Sequence, residues 1–118
     1  MKSRNKIICF DLDNTLCTTK KNYYNLSKPK KKNIEVLNKL YEKGFYIKIF
    51  TARYMSRTNE NSKKAKIRGY EEARKQLDAW NVKYHELIFG KPSFDLYIDD
   101  KSLFYSKNWA VKLKKLFF

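Results

Sequence analysis

Residues that interrupt or cross-link a chain are scarce in this sequence. Its 118 residues include three glycines, two prolines, two cysteines and one histidine. We find no linker or low-complexity segment, which predicts a single domain over residues 1–118. The two cysteines, Cys9 and Cys17, are too few for a disulfide framework, so we expect separate small apolar side chains in a reducing, cytoplasmic compartment. The single histidine, His85, predicts no zinc site and is expected to be structural.

Long hydrophobic runs are also absent. No stretch approaches the length that spans a membrane, and the apolar run at residues 7–10 is too short for a signal peptide. We therefore expect no membrane partner. With 42% hydrophobic residues, the chain can still build one modest core without disulfides.

Acidic residues are outnumbered, with 12 Asp and Glu against 27 Lys and Arg and a net charge of +15. Such a surface attracts anions, including phosphorylated metabolites, nucleic acid and acidic glycans. However, 22 of these cations are Lys and only 5 are Arg, whereas specific readers of phosphates and bases favour the planar fork of Arg. The base composition of an AT-rich genome explains the charge at least as well, so a nucleic-acid partner is not favoured.

What the chain does contain is an alternation of apolar runs and helical stripes. Strands are predicted at residues 6–10, 45–50 and 96–98, and helices at about 34–43, 67–81 and 109–117, with a loop or small hairpin at 14–29. The first strand is expected to be central and buried on both faces. This order predicts an α/β protein, a three-layer Rossmann-like sandwich around a mainly parallel central sheet.

One join does not fit a fully parallel sheet. Only six residues separate Phe89 from Leu96, whereas a parallel crossover usually takes a dozen or more. We therefore expect residues 87–89 to be a short edge strand at best, irregular or opposite in direction.

Polar clusters follow the apolar runs at corresponding places. They are Asp11 with Asp13, Thr51, Lys91, and Asp99 with Asp100. In a parallel sheet such strand ends share one edge, so these side chains are expected to converge there. Paired carboxylates suit Mg²⁺, and a hydroxyl with an ammonium suits the oxygens of a phosphoryl group. The sequence therefore predicts a phosphoryl-transfer centre.

The four clusters resemble, in order, the four motifs of the haloacid dehalogenase superfamily, whose phosphatases use an aspartate nucleophile. The local patterns Phe50-Thr51-Ala52-Arg53, Phe89-Gly90-Lys91-Pro92 and Tyr97-Ile98-Asp99-Asp100-Lys101 further resemble small phosphatases encoded among capsular-polysaccharide biosynthesis genes. Only about 35 to 40 residues separate Thr15 from Thr51 and Thr51 from Lys91, so we expect no cap domain and an open site. The loop at residues 23–24 and the loop at 53–62 are then the candidate specificity elements.

The resemblance implies a role for each matching residue. Asp11 would attack phosphorus and form an aspartyl-phosphate, and Asp13 would act as the general acid and then the general base. Substrate and phosphate binding would fall to Thr51, Ala52, Arg53 and Lys91. Mg²⁺ would be the cofactor, held by Asp11, Asp13 (through its backbone carbonyl), Asp99 and Asp100, with either Asp99 or Asp100 as the direct ligand.

Simpler structural explanations exist for several of these residues. Asp11 and Asp13 could be turn residues, Thr51 a cap, Lys91 a surface lysine, and Asp99 with Asp100 an exposed turn. Arg53 could form an ordinary ion pair instead of binding substrate. Thr15 is expected to cap the turn after the first strand.

The function predicted is a Mg²⁺-dependent phosphomonoester hydrolase acting on a phosphorylated sugar or similar small metabolite. One alternative is a polynucleotide 3′- or 5′-end phosphatase. Another is a non-enzymatic, basic anion- or nucleic-acid-binding module with a vestigial site. A homo-oligomer could cover the open site.

Overall fold

The computed structural model describes residues 6–103 and 106–118 of the chain. Its elements in chain order are β1 (Ile7–Asp11), β2 (Cys17–Thr18), β3 (Lys28–Pro29), α1 (Lys31–Glu42), β4 (Tyr46–Thr51), α2 (Ser62–Ala79), β5 (Glu86–Phe89) and α3 (Trp109–Phe117). Strands β1, β4 and β5 form a parallel sheet in that order, and β2 pairs with β3 as a small antiparallel hairpin. This is the α/β, Rossmann-like arrangement that the sequence predicts.

The register of the sheet fixes where the strands end. Asp11, the last residue of β1, lies opposite Phe50 of β4, and Thr51 at the end of β4 lies opposite Phe89 of β5. The three carboxyl ends therefore lie at one edge, where open α/β sheets bind ligands.

The core lies on one face of the sheet. Phe10 of β1 pairs with Ile49 of β4, which pairs with Leu87 of β5, so all three side chains share that face and all are buried. Phe10 contacts the ring of Trp109 in α3, with centroids 5.8 Å apart. Each fully buried side chain of this size stabilises the fold by about 1.5–3 kcal/mol relative to exposure.

Helix α1 follows its apolar stripe, whereas α2 begins at Ser62, before the predicted start at residue 67, and leaves Ile67 exposed. In α1 the buried residues Ile34, Leu37 and Leu40 recur at helical spacing, as predicted. Helix α2 begins after Asn61, whose side chain accepts the backbone N–H of Lys64 and caps the first turn. Across the described residues, no helix is both long and apolar enough to cross a membrane.

Two strand predictions are wrong. Residues 96–98 do not form a strand: Leu96 and Ile98 are 77% and 88% exposed. Consequently β1 is an edge strand of the described sheet, with Phe10 its only buried residue, and β4 is the central strand.

Strand β5 is a short edge strand, as expected, but it runs parallel to β4. We expected β5 not to be parallel because only six residues connect it to the strand predicted at 96–98. Since no strand forms there, the relevant connection is the one from β4 through α2, which is long enough for a parallel crossover.

Candidate active site

The first carboxylate, Asp11, lies between a lysine and a threonine. Lys91 Nζ donates to Asp11 Oδ1 at 3.1 Å, and Thr15 Oγ1 donates to Oδ2 at 3.0 Å. The Asp11 side chain is 34% exposed and that of Lys91 16%. The carboxylate is therefore oriented on both sides and still reachable from solvent.

Lys91 is positioned by the turn that follows β5. Its backbone N–H donates to the carbonyl oxygen of Thr51 at 3.2 Å, which extends the β4–β5 pairing by one bond. The preceding residue, Gly90, has φ of +108°, and a Cβ there would lie 3.0 Å from Cβ of Ser62. Glycine is therefore the residue that allows this turn to bring Lys91 over the end of β1.

The second carboxylate, Asp13, is held by a buried arginine. Arg53 Nε donates to Asp13 Oδ2 at 3.0 Å and Nη2 donates to Oδ1 at 2.8 Å, a bidentate ion pair. The Arg53 side chain is fully buried, whereas that of Asp13 is 22% exposed. Thr19 Oγ1 adds a bond of 2.5 Å to Oδ1. The ion-pair interpretation of Arg53 is thus the one that the structure shows.

Arg53 is in turn fixed by residues from two other segments. Its Nη1 donates to Gln76 Oε1 at 2.6 Å, and its guanidinium lies 4.9 Å from the ring centroid of Tyr24. Gln76 Nε2 donates to the backbone oxygen of Tyr24 at 2.6 Å. Burial alone would lower the pKa of Arg53, but the hydrogen bonds and charge of Asp13 prevail and the pKa lies above its ordinary value. The guanidinium therefore remains a permanent cation.

Thr51 and Ala52 lie at the end of β4, close to these groups. The Thr51 hydroxyl accepts the backbone N–H of Arg53 at 3.1 Å and is fully buried. It caps the turn here, and its phosphate-binding role stays a prediction. Ala52 is half-buried, and its carbonyl accepts the N–H of Met55.

The acidic pair Asp99–Asp100 lies on the exposed segment after β5. The backbone N–H of Lys101 donates to Asp99 Oδ1 at 3.1 Å and lowers the pKa of that carboxyl below its ordinary value. The same segment approaches Lys91, whose Nζ lies 5.4 and 5.6 Å from the ring centroids of Phe94 and Tyr97.

The donor set for a metal is incomplete in this arrangement. Among the described residues, no group of three acidic, histidine or cysteine side chains is close enough to hold a metal ion. Asp11, Asp13 and the Asp99–Asp100 pair are therefore not gathered into one site among the described residues.

Several residues around Asp13 were not found from the sequence. Thr19, Ser27 and Gln76 all contact the Asp13–Arg53 pair, yet they lie outside any motif. The available signal was a polar residue, Gln76, directly beside the apolar stripe of α2. The small hairpin expected at residues 14–29 is confirmed by β2 and β3, and its residues Thr19 and Ser27 contact Asp13 and Arg53. His85 is structural as expected: its Nδ1 accepts the N–H of Ile47 at 3.0 Å.

The parallel sheet brings two carboxylates, a lysine and a buried arginine to its carboxyl edge, which is where open α/β sheets bind their ligands. A family model described as haloacid dehalogenase-like hydrolase matches residues 8–72. The chain belongs to this family and is a hydrolase. The matched stretch contains Asp11, Asp13, Thr51 and Arg53.

One solved structure extends the likeness to almost the whole chain. It is the crystal structure of a structural-genomics target from Vibrio cholerae, with 31% sequence identity and a TM-score of 0.82. The match covers 95% of this chain and 96% of that chain. No curated protein matches the chain.

Proposed function

We propose that the chain is a phosphomonoester hydrolase that works through Asp11. The observation that supports it best is the contrast between two neighbouring carboxylates. Asp11 is oriented by Lys91 and open to solvent, while Asp13 is bound to the buried Arg53. Two carboxylates in different environments can take two different roles in one reaction.

In the first step a carboxylate oxygen of Asp11 attacks phosphorus and the bond to the ester oxygen breaks. Asp13 gives its proton to the leaving oxygen, so that an alcohol departs and an aspartyl-phosphate remains. Lys91, which binds Asp11 in the free protein, is placed to bind a phosphoryl oxygen as negative charge accumulates there.

In the second step water attacks the phosphorus of the aspartyl-phosphate. Asp13, now ionised, accepts a proton from that water, and the products are inorganic phosphate and the Asp11 carboxylate. Arg53 holds the Asp13 carboxylate in place for this step through two hydrogen bonds. Oδ2 accepts a bond only from Arg53 Nε within the described residues, so a lone pair is left for the proton.

We also propose Mg²⁺ as the cofactor, with Asp11, the backbone carbonyl of Asp13, and Asp99 or Asp100 as ligands. When bound, Mg²⁺ would neutralise charge on the phosphoryl oxygens. Binding requires the segment around Asp99 to approach Asp11.

Calorimetric titration with MgCl₂ should show weaker binding in Asp99→Asn or Asp100→Asn. Asp95→Asn, an exposed acid on the same segment, should bind like the unmodified protein, and equal losses in all three would contradict this ligand set.

The substrate proposed is a phosphorylated sugar or similar small metabolite. The net charge of +15 favours one alternative, a polynucleotide end-phosphatase. A salt titration distinguishes the two substrates, because a polynucleotide releases many counterions on binding and loses affinity steeply as salt rises, whereas a small ester does not.

We also propose that a second copy of the chain can cover the open site. In that case sedimentation equilibrium will show a dimer.

The decisive experiment is a phosphatase panel with Mg²⁺. It would contain sugar phosphates, nucleotides, and 3′- and 5′-phosphorylated oligonucleotides. We expect turnover of at least one class and its loss in Asp11→Asn, with Asp95→Asn as the matched control. Hydrolysis that survives in Asp11→Asn would refute the mechanism. No turnover of any substrate, with unchanged anion binding in Asp11→Asn, would support the non-enzymatic binding module instead.

A further inference from the structure

A second cavity lies outside the Asp11 site, between the loop after β4 and the first turns of α2. Its volume is about 340 Å³. The residues that line it are Arg57, Thr58, Asn59, Lys64, Ile67 and Arg68. Three of the six are cations and none is acidic, so the cavity carries a concentrated positive charge.

None of these cations, Arg57, Lys64 and Arg68, forms a salt bridge within the described part of the chain. The one acid of the adjoining loop, Glu60, is turned elsewhere, since its Oε1 accepts the backbone N–H of Ser93 at 3.0 Å. An anion entering the cavity would therefore meet three cations without displacing a carboxylate.

Two of the cations are already ordered by an aromatic ring. The guanidinium carbons of Arg57 and Arg68 lie 5.0 and 5.2 Å from the ring centroid of Tyr54. Arg57 Nη2 also donates to the backbone oxygen of Asn22 at 2.8 Å, and the Tyr54 hydroxyl donates to Glu72 at 3.2 Å. Because these side chains are held in place, less conformational entropy is lost when an anion binds.

The cavity is richer in arginine than the rest of the chain, since two of its three cations are Arg57 and Arg68. The chain has 22 Lys and only 5 Arg, yet Arg53, Arg57 and Arg68 all lie against Tyr24 or Tyr54. A bias of composition toward lysine does not explain arginine here. The planar guanidinium binds phosphate through two parallel hydrogen bonds, which lysine cannot do.

One ring connects the cavity to the acid–base residue. Tyr24 lies against both Arg53, at 4.9 Å, and Arg57, at 5.5 Å. Arg53 binds Asp13, so a chain of contacts through the buried side chains of Tyr24 and Arg53 links the cavity to the reacting carboxylates. A molecule with its scissile phosphate at Asp11 can place a second group in the cavity if it is long enough.

We propose that this cavity is a second anion site, which binds a phosphate group of the substrate other than the one that is hydrolysed. The proposal rests on the phosphatase function proposed above and narrows its substrate class to molecules with at least two phosphates. Ile67, which is 83% exposed beside the cations, offers an apolar wall to the part of the ligand that carries the phosphate.

The second phosphate could come from a bisphosphorylated sugar or from a phosphodiester of an oligonucleotide. Two substrate pairs distinguish these sources: fructose 6-phosphate against fructose 1,6-bisphosphate, and 5′-phosphorylated thymidine against its trinucleotide. The cavity variant is R57Q/K64Q/R68Q. The control variant, K39Q/K75Q/K112Q, removes the same charge from exposed lysines outside the cavity.

We expect the unmodified protein to have a lower KM for the second member of one pair. In the cavity variant that KM should rise about tenfold with kcat unchanged, as expected for loss of charge-assisted phosphate contacts. The control variant should stay within about twofold, because distant exposed charges are screened. No preference in either pair, or equal effects of the two variants, would overturn the proposal.

A binding measurement separates this proposal from the phosphatase function. If no member of the phosphatase panel and neither substrate pair is hydrolysed, the proposed function fails, and titration calorimetry with tripolyphosphate still tests the cavity. Binding weakened about tenfold in the cavity variant alone would support the anion site. Binding equal in the two variants would refute it. A further variant, R57K/R68K, keeps the charge and removes the planar forks, so it should weaken binding to an intermediate extent.

Discussion

At the scale of single residues, the main feature is a difference between two ion pairs. Asp11 and Asp13 lie two positions apart, and the cation that binds Asp13 is more deeply buried than the cation that binds Asp11. Lys91, the partner of Asp11, is 16% exposed, whereas Arg53, the partner of Asp13, is fully buried. A buried charge without its counterion costs far more free energy than an exposed one. The two pairs should therefore differ in their contribution to stability.

We predict that Asp13→Asn lowers the free energy of unfolding by about 3 kcal/mol, because it leaves Arg53 buried without a counterion. Asp11→Asn, which leaves a partly exposed lysine, should cost no more than about 1 kcal/mol. Urea denaturation would measure both.

A double variant tests the cause. Asp13→Asn combined with Arg53→Met removes the buried charge altogether, and at least half of the lost stability should return. Equal losses in Asp13→Asn and Asp11→Asn would contradict the asymmetry between the two pairs.

The sequence predicts part of the site at this scale. The contact between Asp11 and Lys91 was expected because both residues follow apolar runs, although the parallel direction of β5, which brings Lys91 to this edge, was not. The network of Thr19, Gln76 and Arg53 depends on side-chain directions within loops and on the rotation of α2. Motif spacing carries no information about these, so the ion pair of Arg53 could not be separated from substrate binding.

At the scale of elements, α2 packs unusually close to its neighbours at Gly69. A Cβ at this position would lie 2.6 Å from the ring of Tyr54 and 2.8 Å from that of Phe89. The Tyr54 ring cannot move away easily, because it also contacts Arg57 and Arg68. The missing side chain thus allows the helix to approach both β5 and the loop beside the cavity.

We predict that Gly69→Ala destabilises the fold by about 1–2 kcal/mol, because the added methyl forces the two rings to shift. Helix propensity alone would give the opposite sign, favouring alanine by about 1 kcal/mol. Lys75→Ala, exposed on the same helix, is the control and should change stability by no more than about 0.5 kcal/mol. A stabilised Gly69→Ala protein would show that the close approach is not maintained in solution.

Element prediction succeeded where the pattern extends over several turns and failed where it is short. Helices α1 and α2 have apolar residues at helical spacing over many positions, and this spacing predicts their buried faces except at Ile67, which is exposed beside the cavity. The run Leu96-Tyr97-Ile98 has only strand-forming residue types. Such a preference depends on a neighbouring strand and on burial, and in the described structure this segment has neither.

At the scale of the whole molecule, charge repulsion opposes the compact state. A net charge of +15 is spread over a body of 41 × 31 × 31 Å. The Debye length is about 30 Å at 0.01 M salt and about 8 Å at 0.15 M. At low salt every cation therefore repels nearly every other, whereas near physiological salt only neighbours do.

We predict that the melting temperature rises when NaCl is increased over this range, by about 4 °C for each kcal/mol of repulsion that is screened. Sodium phosphate at equal ionic strength should raise it further, because phosphate can also bind the folded protein. A melting temperature that is flat or falls with NaCl would show that repulsion is not a significant part of the stability.

The pairing of each acid with its cation also sets an order of events during synthesis. The contact between Asp13 and Arg53 joins residues 40 positions apart, whereas that between Asp11 and Lys91 spans 80 positions. A chain emerging from the ribosome therefore releases both residues of the first pair well before it releases Lys91. Asp11 meets its lysine only after β5 has been translated and has paired with β4. During synthesis we therefore expect the contacts of Asp13 to form before those of Asp11.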